Sequence, residues 1–326
     1  MMQSVGIDVS KAKLDCCWLR DSQKNKVKCK IFKNQPDEFR HLGDWLVKNT
    51  GSQPDEIHVV LEATGVYHEA VALQLYDRGF RVSVVNPARP KKFAESMGYV
   101  HKTDKKDSVI LAKFGEQAKL ALWVPEPRKI RQLKALIARL EALDEDLQRE
   151  NNRLEAAELT QASEIVIESL TTMLEALEAE RKRLLSEIDD HIDNHPDLKK
   201  NRALLESIPG VGPVVSRMML SVIGSRCFSS AKELAAFLGL IPRLRESGTM
   251  KGRTMLTKQG PANVRAKLYM AAVVAKSVNP DIRQHYDRLV KNGKTKMQAL
   301  AAAMRKLTHI CFGVLKHQSE YQPQTA

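Results

Sequence analysis

The sequence predicts an α/β domain at the N-terminus, a long helical arm after it, and a mainly α-helical domain at the C-terminus. Three observations carry that expectation. In the first third of the chain, short apolar runs end in an acid, SVGIDVS at 4–10 and IHVVLE at 57–62, as strands buried in a sheet do. Leucines then recur at spacings of three and four from Leu133 to Leu147. From Pro196 onward the chain is basic and patterned as helices. The boundaries fall at 1–126, 127–195 and 196–326.

Within the first domain, Ser4 to Ser10 reads as a buried strand that delivers Asp8 at its C-terminal end. Strands at Leu14–Leu19 and Lys26–Phe32, separated by a turn-rich Asp21–Asn25, make a three-strand meander. Pro36 opens a helix through about Lys48, with Phe39, Leu42, Trp45 and Leu46 at helical spacing. After a loop comes the strand Ile57–Glu62, then a helix from Val66 to Asp77 and a strand Arg81–Val85 stopped by Asn86-Pro87. Helices near Pro90–Met97 and Asp104–Lys119 complete the domain. The order β-β-β-α-β-α-β-α is the ribonuclease-H-like layout, an antiparallel meander feeding a parallel extension covered by helices.

The arm carries an a/d seam at Leu133, Leu136, Leu140, Leu143 and Leu147, repeated at Val166, Leu170, Leu174, Leu177, Leu184 and Ile188 beyond a break at Thr160–Ser163. That pattern suits a coiled coil, either one hairpin packed on itself or an arm holding two subunits together. In the last domain, SIPGVG (207–212) has the form of a helix-hairpin-helix turn. Gly210 and Gly212 permit a tight bend there, and backbone N–H groups at the next helix's start face a phosphate. The PGVG within it also occurs in turns that bind nothing. Helices follow at Ala231–Leu238, about Ala262 to Ser277, and around Lys296–Lys316, with a loop at Gly239–Gly260.

Charge is unevenly divided. Residues 1–126 hold 20 Lys+Arg against 16 Asp+Glu, residues 127–196 hold 10 against 16, and residues 197–326 hold 22 against 7. A local excess of +15 is the footprint of a polyanion partner. A membrane surface is the rival partner, but the region lacks a Trp/Phe-lined amphipathic anchor. With no run of eighteen apolar residues and no basic-then-apolar leader, a cytoplasmic protein is expected. The five cysteines form no CxxC pair and find no His at zinc spacing, so they read as unpaired thiols.

Asp8 and Glu62 end two strands that this topology sets side by side, and Asp104 and Asp107 lie one helical turn apart. Taken singly, each reads equally well as a cap or turn residue. Together they imply a metal site, because crowded carboxylates repel unless cations neutralise them. Two Mg2+ ions about 4 Å apart would do so and would serve phosphoryl transfer. Ser247 stands among Arg243, Arg245, Lys251 and Arg253, a setting that reads by composition as a phosphate-binding loop.

Several runs resemble a known family: GIDVSKAKLD (6–15), LEATGVYHE (61–69), VVNPARPKKFA (84–94) and KTDKKDS (102–108). They are similar to the RuvC-like half of the insertion-sequence one-ten transposases, DEDD recombinases related to the Piv DNA invertases. The likeness continues through SIPGVG, AAFLGLIPRLRESGTMKGR (235–253), TKQG (257–260) and VRAKLYMAA (264–272). Ser108 stands where the family usually has Ala, a small-for-small change. The resemblance implies that Asp8, Glu62, Asp104 and Asp107 are catalytic metal ligands. It further implies that Ser247 is the nucleophile forming a covalent DNA link, that sites are composite in a dimer or tetramer, and that a structured guide RNA pairs with donor and target DNA. The rivals are a RuvC-like nuclease or Holliday-junction resolvase using water, a site-specific invertase, and a non-catalytic scaffold. A sugar-kinase or actin-type ATPase is disfavoured, since 9–13 (VSKAK) holds no glycine for a phosphate loop.

Overall fold

The fold, taken from a computed structural model, is described for residues 2–22, 24–63, 65–98, 104–243, 246–247, 250–251 and 255–324, excepting the side chains of 104–105, 246–247 and 250–251. The chain divides into two units, Met1–Pro125 and Glu126–Ala326. The first is an α/β sheet domain and the second is mostly helical.

The first unit runs β1 (Gln3–Val9), β2 (Lys13–Asp21), β3 (Lys26–Lys33), α1 (Pro36–Thr50), β4 (Ile57–Glu62), α2 (Glu69–Asp77), β5 (Arg81–Val85), α3 (Ala88–Ser96) and α4 (Asp104–Gln117). The sheet order is β3-β2-β1-β4-β5, antiparallel through the meander and parallel from β1 to β4 to β5. Side chains alternate faces along a strand. Val5, Ile7, Val9, Val59 and Leu61 accordingly join the core under α1 and α2, built by Phe39, Leu42, Leu46, Val71 and Leu75. Val60 and Val85 meet Leu111 and Phe114 of α4 on the other face. Pro36 starts α1 and Gly51, at φ 66°, ends it in the left-handed conformation with its N–H on the Val47 carbonyl.

Two details depart from expectation. Residues 65–68 form turns, so α2 begins at Glu69 rather than Val66; Gly65 has φ 52°, and Val66 and Tyr67 are exposed. Cys17 and Cys29, expected as unpaired thiols, are joined as a disulfide. The β2–β3 register sets them directly opposite, a relation that spacing along the chain does not display.

The second unit opens with two long helices, α5 (Arg128–Leu159) and α6 (Glu164–Asp193), which pack on each other. Leu143, Leu174 and Leu184 are buried in this hairpin, whereas Leu159, Ile165 and Met173 toward its turn are exposed. At the other end, Ile130, Leu133, Ile188 and Ile192 belong to the core formed by the helices that follow. Those are α7 (Pro196–Glu206), α8 (Pro213–Gly224) and α9 (Ala231–Phe237), then the short strands β6 (Pro242–Arg243), β7 (Glu246–Ser247), β8 (Met250–Lys251) and β9 (Met255–Leu256). Helices α10 (Ala262–Val278), α11 (Pro280–Lys291) and α12 (Lys296–His317) close the unit.

Ion pairs tie the hairpin's base to its neighbours. Arg217 of α8 binds both Asp189 oxygens, at 2.8 and 2.6 Å through one nitrogen, while Arg202 of α7 reaches Asp189 and Asp193. Lys267 and Asn263 of α10 both bind Glu141 of α5. Among the described residues, no helix is long and apolar enough to cross a membrane.

Candidate active site

The pleat decides where the acids point. On β1, Ser4, Gly6 and Asp8 alternate with the Val5, Ile7 and Val9 that face α1 and α2, so Asp8 lies on the α4 face. On β4, His58, Val60 and Glu62 occupy that same face. The parallel register pairs Ile7 with Leu61, which brings Asp8 and Glu62 level at the C-terminal ends of neighbouring strands. Both are half-buried.

Gly6 brings the third acid to this end. A Cβ on Gly6 would stand 2.0 Å from the Ser108 carbonyl oxygen and 2.5 Å from the Ala112 nitrogen. Helix α4 therefore rests directly on the β1 backbone, and only glycine allows that approach. Ser108 is fully buried at the contact, and Asp107 precedes it. Ser4 Oγ donates to the Ala112 carbonyl at 2.5 Å, one turn further along. Asp104 is the first residue of α4, one turn before Asp107; its side chain lies outside the described residues.

One acid on this face escaped the sequence reading. Asp15 of β2 lies directly opposite Asp8, is 8% exposed, and pairs with Lys13 at 3.0 Å. The alternation through KLDCCW was the available signal. Among the described residues, no group of three or more His, Cys, Asp or Glu side chains is spaced to hold a metal ion. In kind, the oxygen donors of Asp8, Glu62 and Asp107 suit a hard divalent cation.

Ser247 lies not in an open loop but in a nested β-hairpin. Pro242 and Arg243 pair with Leu256 and Met255, and inside that ladder Glu246 and Ser247 pair with Lys251 and Met250. Arg243, on the outer ladder, is exposed. Arg245 and Arg253 lie outside the described residues, as do the side chains of Ser247 and Lys251. The hairpin's root is tightly held. A Cβ on Gly239, at φ 69°, would stand 2.6 Å from the Gln259 carbonyl oxygen, and one on Gly260 would come closer still, 2.2 Å from the Phe237 carbonyl oxygen. Arg265 of α10 donates to the Gly260 carbonyl at 2.8 Å and reaches the Leu238 carbonyl at 3.4 Å.

Comparison with known proteins converges on one family. Residues 5–163 match a DEDD transposase model of the IS110 type, and residues 202–287 match the transposase IS116/IS110/IS902 family. The pilin gene-inverting protein of Moraxella lacunata is 31% identical over 324 residues, covering 97% of each chain. The chain belongs to the IS110 family of transposases. It is accordingly a DNA-recombining enzyme, related to the pilin inverters. The 43.6 kDa protein of insertion element IS110 from Streptomyces coelicolor is 29% identical over 160 residues, 49% of this chain and 38% of that protein.

In this transposase the turn between α7 and α8 uses its two glycines differently. Gly210, at φ 95°, lets the turn lie against α10, where a Cβ would come within 2.7 Å of Ala275. Gly212 caps α8 and has open space around it. Val214 and Met270 beside the turn are exposed apolar side chains. Beyond this turn the unit's ion pairs are sparse. From Arg226 to Lys316, Lys267 is the one cation in an ion pair among the described side chains.

Proposed function

We propose that this IS110-family transposase exchanges DNA strands by a magnesium-dependent reaction in which Ser247 attacks the scissile phosphodiester. The observation that carries the reading is the Gly6 contact, which seats α4 on β1 and brings Asp107 to the strand ends bearing Asp8 and Glu62. The sheet order supports assigning residues 1–126 as a ribonuclease-H-like, RuvC-like catalytic domain. Residues 127–195 act as a coiled-coil arm, and residues 196–326 as the domain that brings the serine and much of the nucleic-acid contact.

Asp8, Glu62, Asp107 and Asp104 would hold two Mg2+ ions, with Asp104 completing the set. When bound, such ions polarise a phosphodiester and stabilise the leaving oxygen. Ser247 forms an Oγ–P bond as the bridging P–O bond to the neighbouring sugar breaks. The serine proton is passed on and the freed sugar oxygen is protonated, so one phosphodiester is exchanged for another. Strands can then be rejoined without ATP. Arg243, Arg245, Lys251 and Arg253 supply positive charge around the phosphate, and Gly212 leaves the α8 N-terminus open to a second one. Sites composite between subunits of a dimer or tetramer, and a guide RNA pairing with donor and target DNA, complete the reading.

The test is recombination of donor and target plasmids, with and without the flanking non-coding RNA. Ser247→Ala should leave no covalent protein–DNA adduct and no joined product. Continued cutting by that variant would favour a water-using nuclease. Asp8→Asn or Asp107→Asn should abolish both cutting and joining, and retained activity would remove the metal site. Product independent of RNA would overturn the guided step. The full-length likeness to a pilin gene-inverting protein favours inversion as a second reading. Inversion of a segment between paired sites, without insertion elsewhere, would select it.

A further inference from the structure

Three helices of the second unit bring together cations that make no ion pair among the described residues. Arg305, Lys306 and His309 lie within one turn of α12. Helix α11 packs along α12 and contributes His285 and Arg288, and α9, which also packs on α12, contributes Lys232. Arg288 donates to His285 Nδ1 at 3.1 Å, and Lys306 Nζ reaches Gln324 Oε1 at 3.4 Å.

The nearby acids keep their charge, but none makes an ion pair with these cations among the described residues. Glu233 accepts from the Ser229 N–H and hydroxyl, both at 2.7 Å, and Asp281 accepts from Tyr321 at 2.8 Å. Asp287, the exposed acid between His285 and Arg288, makes no ion pair with the cluster among the described residues. Burial first, and then Arg305, Lys306 and Lys232, hold the His309 imidazole below its ordinary pKa. Burial, Arg288 and Lys306 do the same to His285. The field is therefore positive at both rings. His309 Nε2 is buried with no hydrogen-bond partner among the described residues.

Like charges gathered in this way repel one another, and a polyanion relieves the repulsion. We propose that Lys232, Arg288, Arg305 and Lys306, gathered around His285 and His309, form one surface that holds the phosphodiester backbone of duplex DNA away from the reacting phosphate. The duplex is favoured over single strands because the described residues of α9, α11 and α12 include no exposed Phe, Tyr or Trp ring on which unpaired bases stack. The proposal depends on the recombinase reading only for the identity of the polyanion.

The test measures affinity of the full-length protein for labelled duplex DNA across a salt series. Lys232→Gln/Arg305→Gln/Lys306→Gln should weaken binding roughly tenfold or more at about 0.1 M salt. It should also flatten the slope of log K against log salt by about 2.7, since each phosphate contact contributes about 0.9. Lys232→Arg/Lys306→Arg should keep both, which separates charge from packing. If the triple variant does not fold, the exposed pair Lys232→Gln/Arg288→Gln carries the same test, with a slope change of about 1.8. Unchanged affinity and slope would overturn the proposal. So would loss of binding to an RNA duplex of the same sequence with DNA binding intact. Ser247→Ala should bind DNA like the parent, so a failed serine mechanism and a failed binding surface give different results.

Discussion

Replacing Gly6 by alanine tests the central geometric argument. The new methyl would lie 2.0 Å from the Ser108 carbonyl oxygen, 2.5 Å from the Ala112 nitrogen and 2.8 Å from Leu111 Cβ. All three are backbone or backbone-fixed atoms, so no side chain can turn aside. Restoring ordinary contact at 3.4 Å requires α4 to back away by about 1.4 Å at Ser108, the difference between 3.4 and 2.0 Å. Overpacking of this kind costs about 1–3 kcal/mol of stability. The shift carries Asp107, and a misplacement of about 1 Å costs about a hundredfold in rate. Gly115→Ala is the comparison, because its methyl would meet chiefly the Val60 Cγ2 methyl, a movable side-chain atom, at 2.5 Å. Strand cleavage by both variants, measured well below their melting temperatures, should fall about a hundredfold for Gly6→Ala and only a few-fold for Gly115→Ala. A Gly6→Ala enzyme that is folded and cleaves at the parental rate would refute the reasoning.

Other consequences follow from single contacts. Arg217→Met removes the two-oxygen clamp on Asp189 while Arg202 remains, and should lower stability by about 1–2 kcal/mol in urea titrations. An unchanged midpoint would mean that the clamp contributes nothing. Thiol titration of the unfolded protein without reductant should find three free cysteines, Cys16, Cys227 and Cys311, and five would remove the Cys17–Cys29 bond. His58, His285 and His309 all have pKa values held below 6.5, with burial the leading cause in each. The folded state then binds fewer protons than the unfolded chain, so stability falls as pH drops through 6.5 and levels off below the depressed values. His58→Gln should flatten that fall, and an unaltered pH profile would count against it.

The strands were legible because apolar runs at 4–9 and 57–62 and the meander between them leave few alternatives. The same alternation assigns Asp8 and Glu62 to one face from the sequence itself. Gly6 was opaque, since the helix it admits begins about a hundred residues later and no local pattern couples them. The hairpin around Ser247 was hidden for a different reason. Its strands are two residues long, too short for any period to register. Helix α11 was missed although its signals were present: Ile282, Tyr286, Leu289 and Val290 recur at helical spacing, Asn279 caps Ile282, and Pro280 holds the first position. The disulfide was hidden in register. Residues twelve apart become neighbours only when the turn between β2 and β3 closes.

The helical unit divides its charges in two ways, and the division has a measurable result. On α5 and α6, Arg149, Arg153 and Arg183 pair with Asp146, Glu150 and Glu180 one turn away, and Arg181 pairs with Asp144 across the hairpin. Such exposed pairs contribute little each, but they offset part of the hairpin's acid excess of 16 against 10. Residues 197–326 carry 22 cations against 7 acids and pair few of them. Their mutual repulsion destabilises the folded unit and is screened over about 10 Å at 0.1 M salt. Raising ionic strength should therefore raise the Tm of the helical transition, and duplex DNA at low salt should raise it further by neutralising the same charges. Calorimetry across a salt series, with and without DNA, measures both. A Tm that falls with salt would mean that attractive pairs dominate after all, and that the bare cations between Arg226 and Lys316 are not held against their own repulsion.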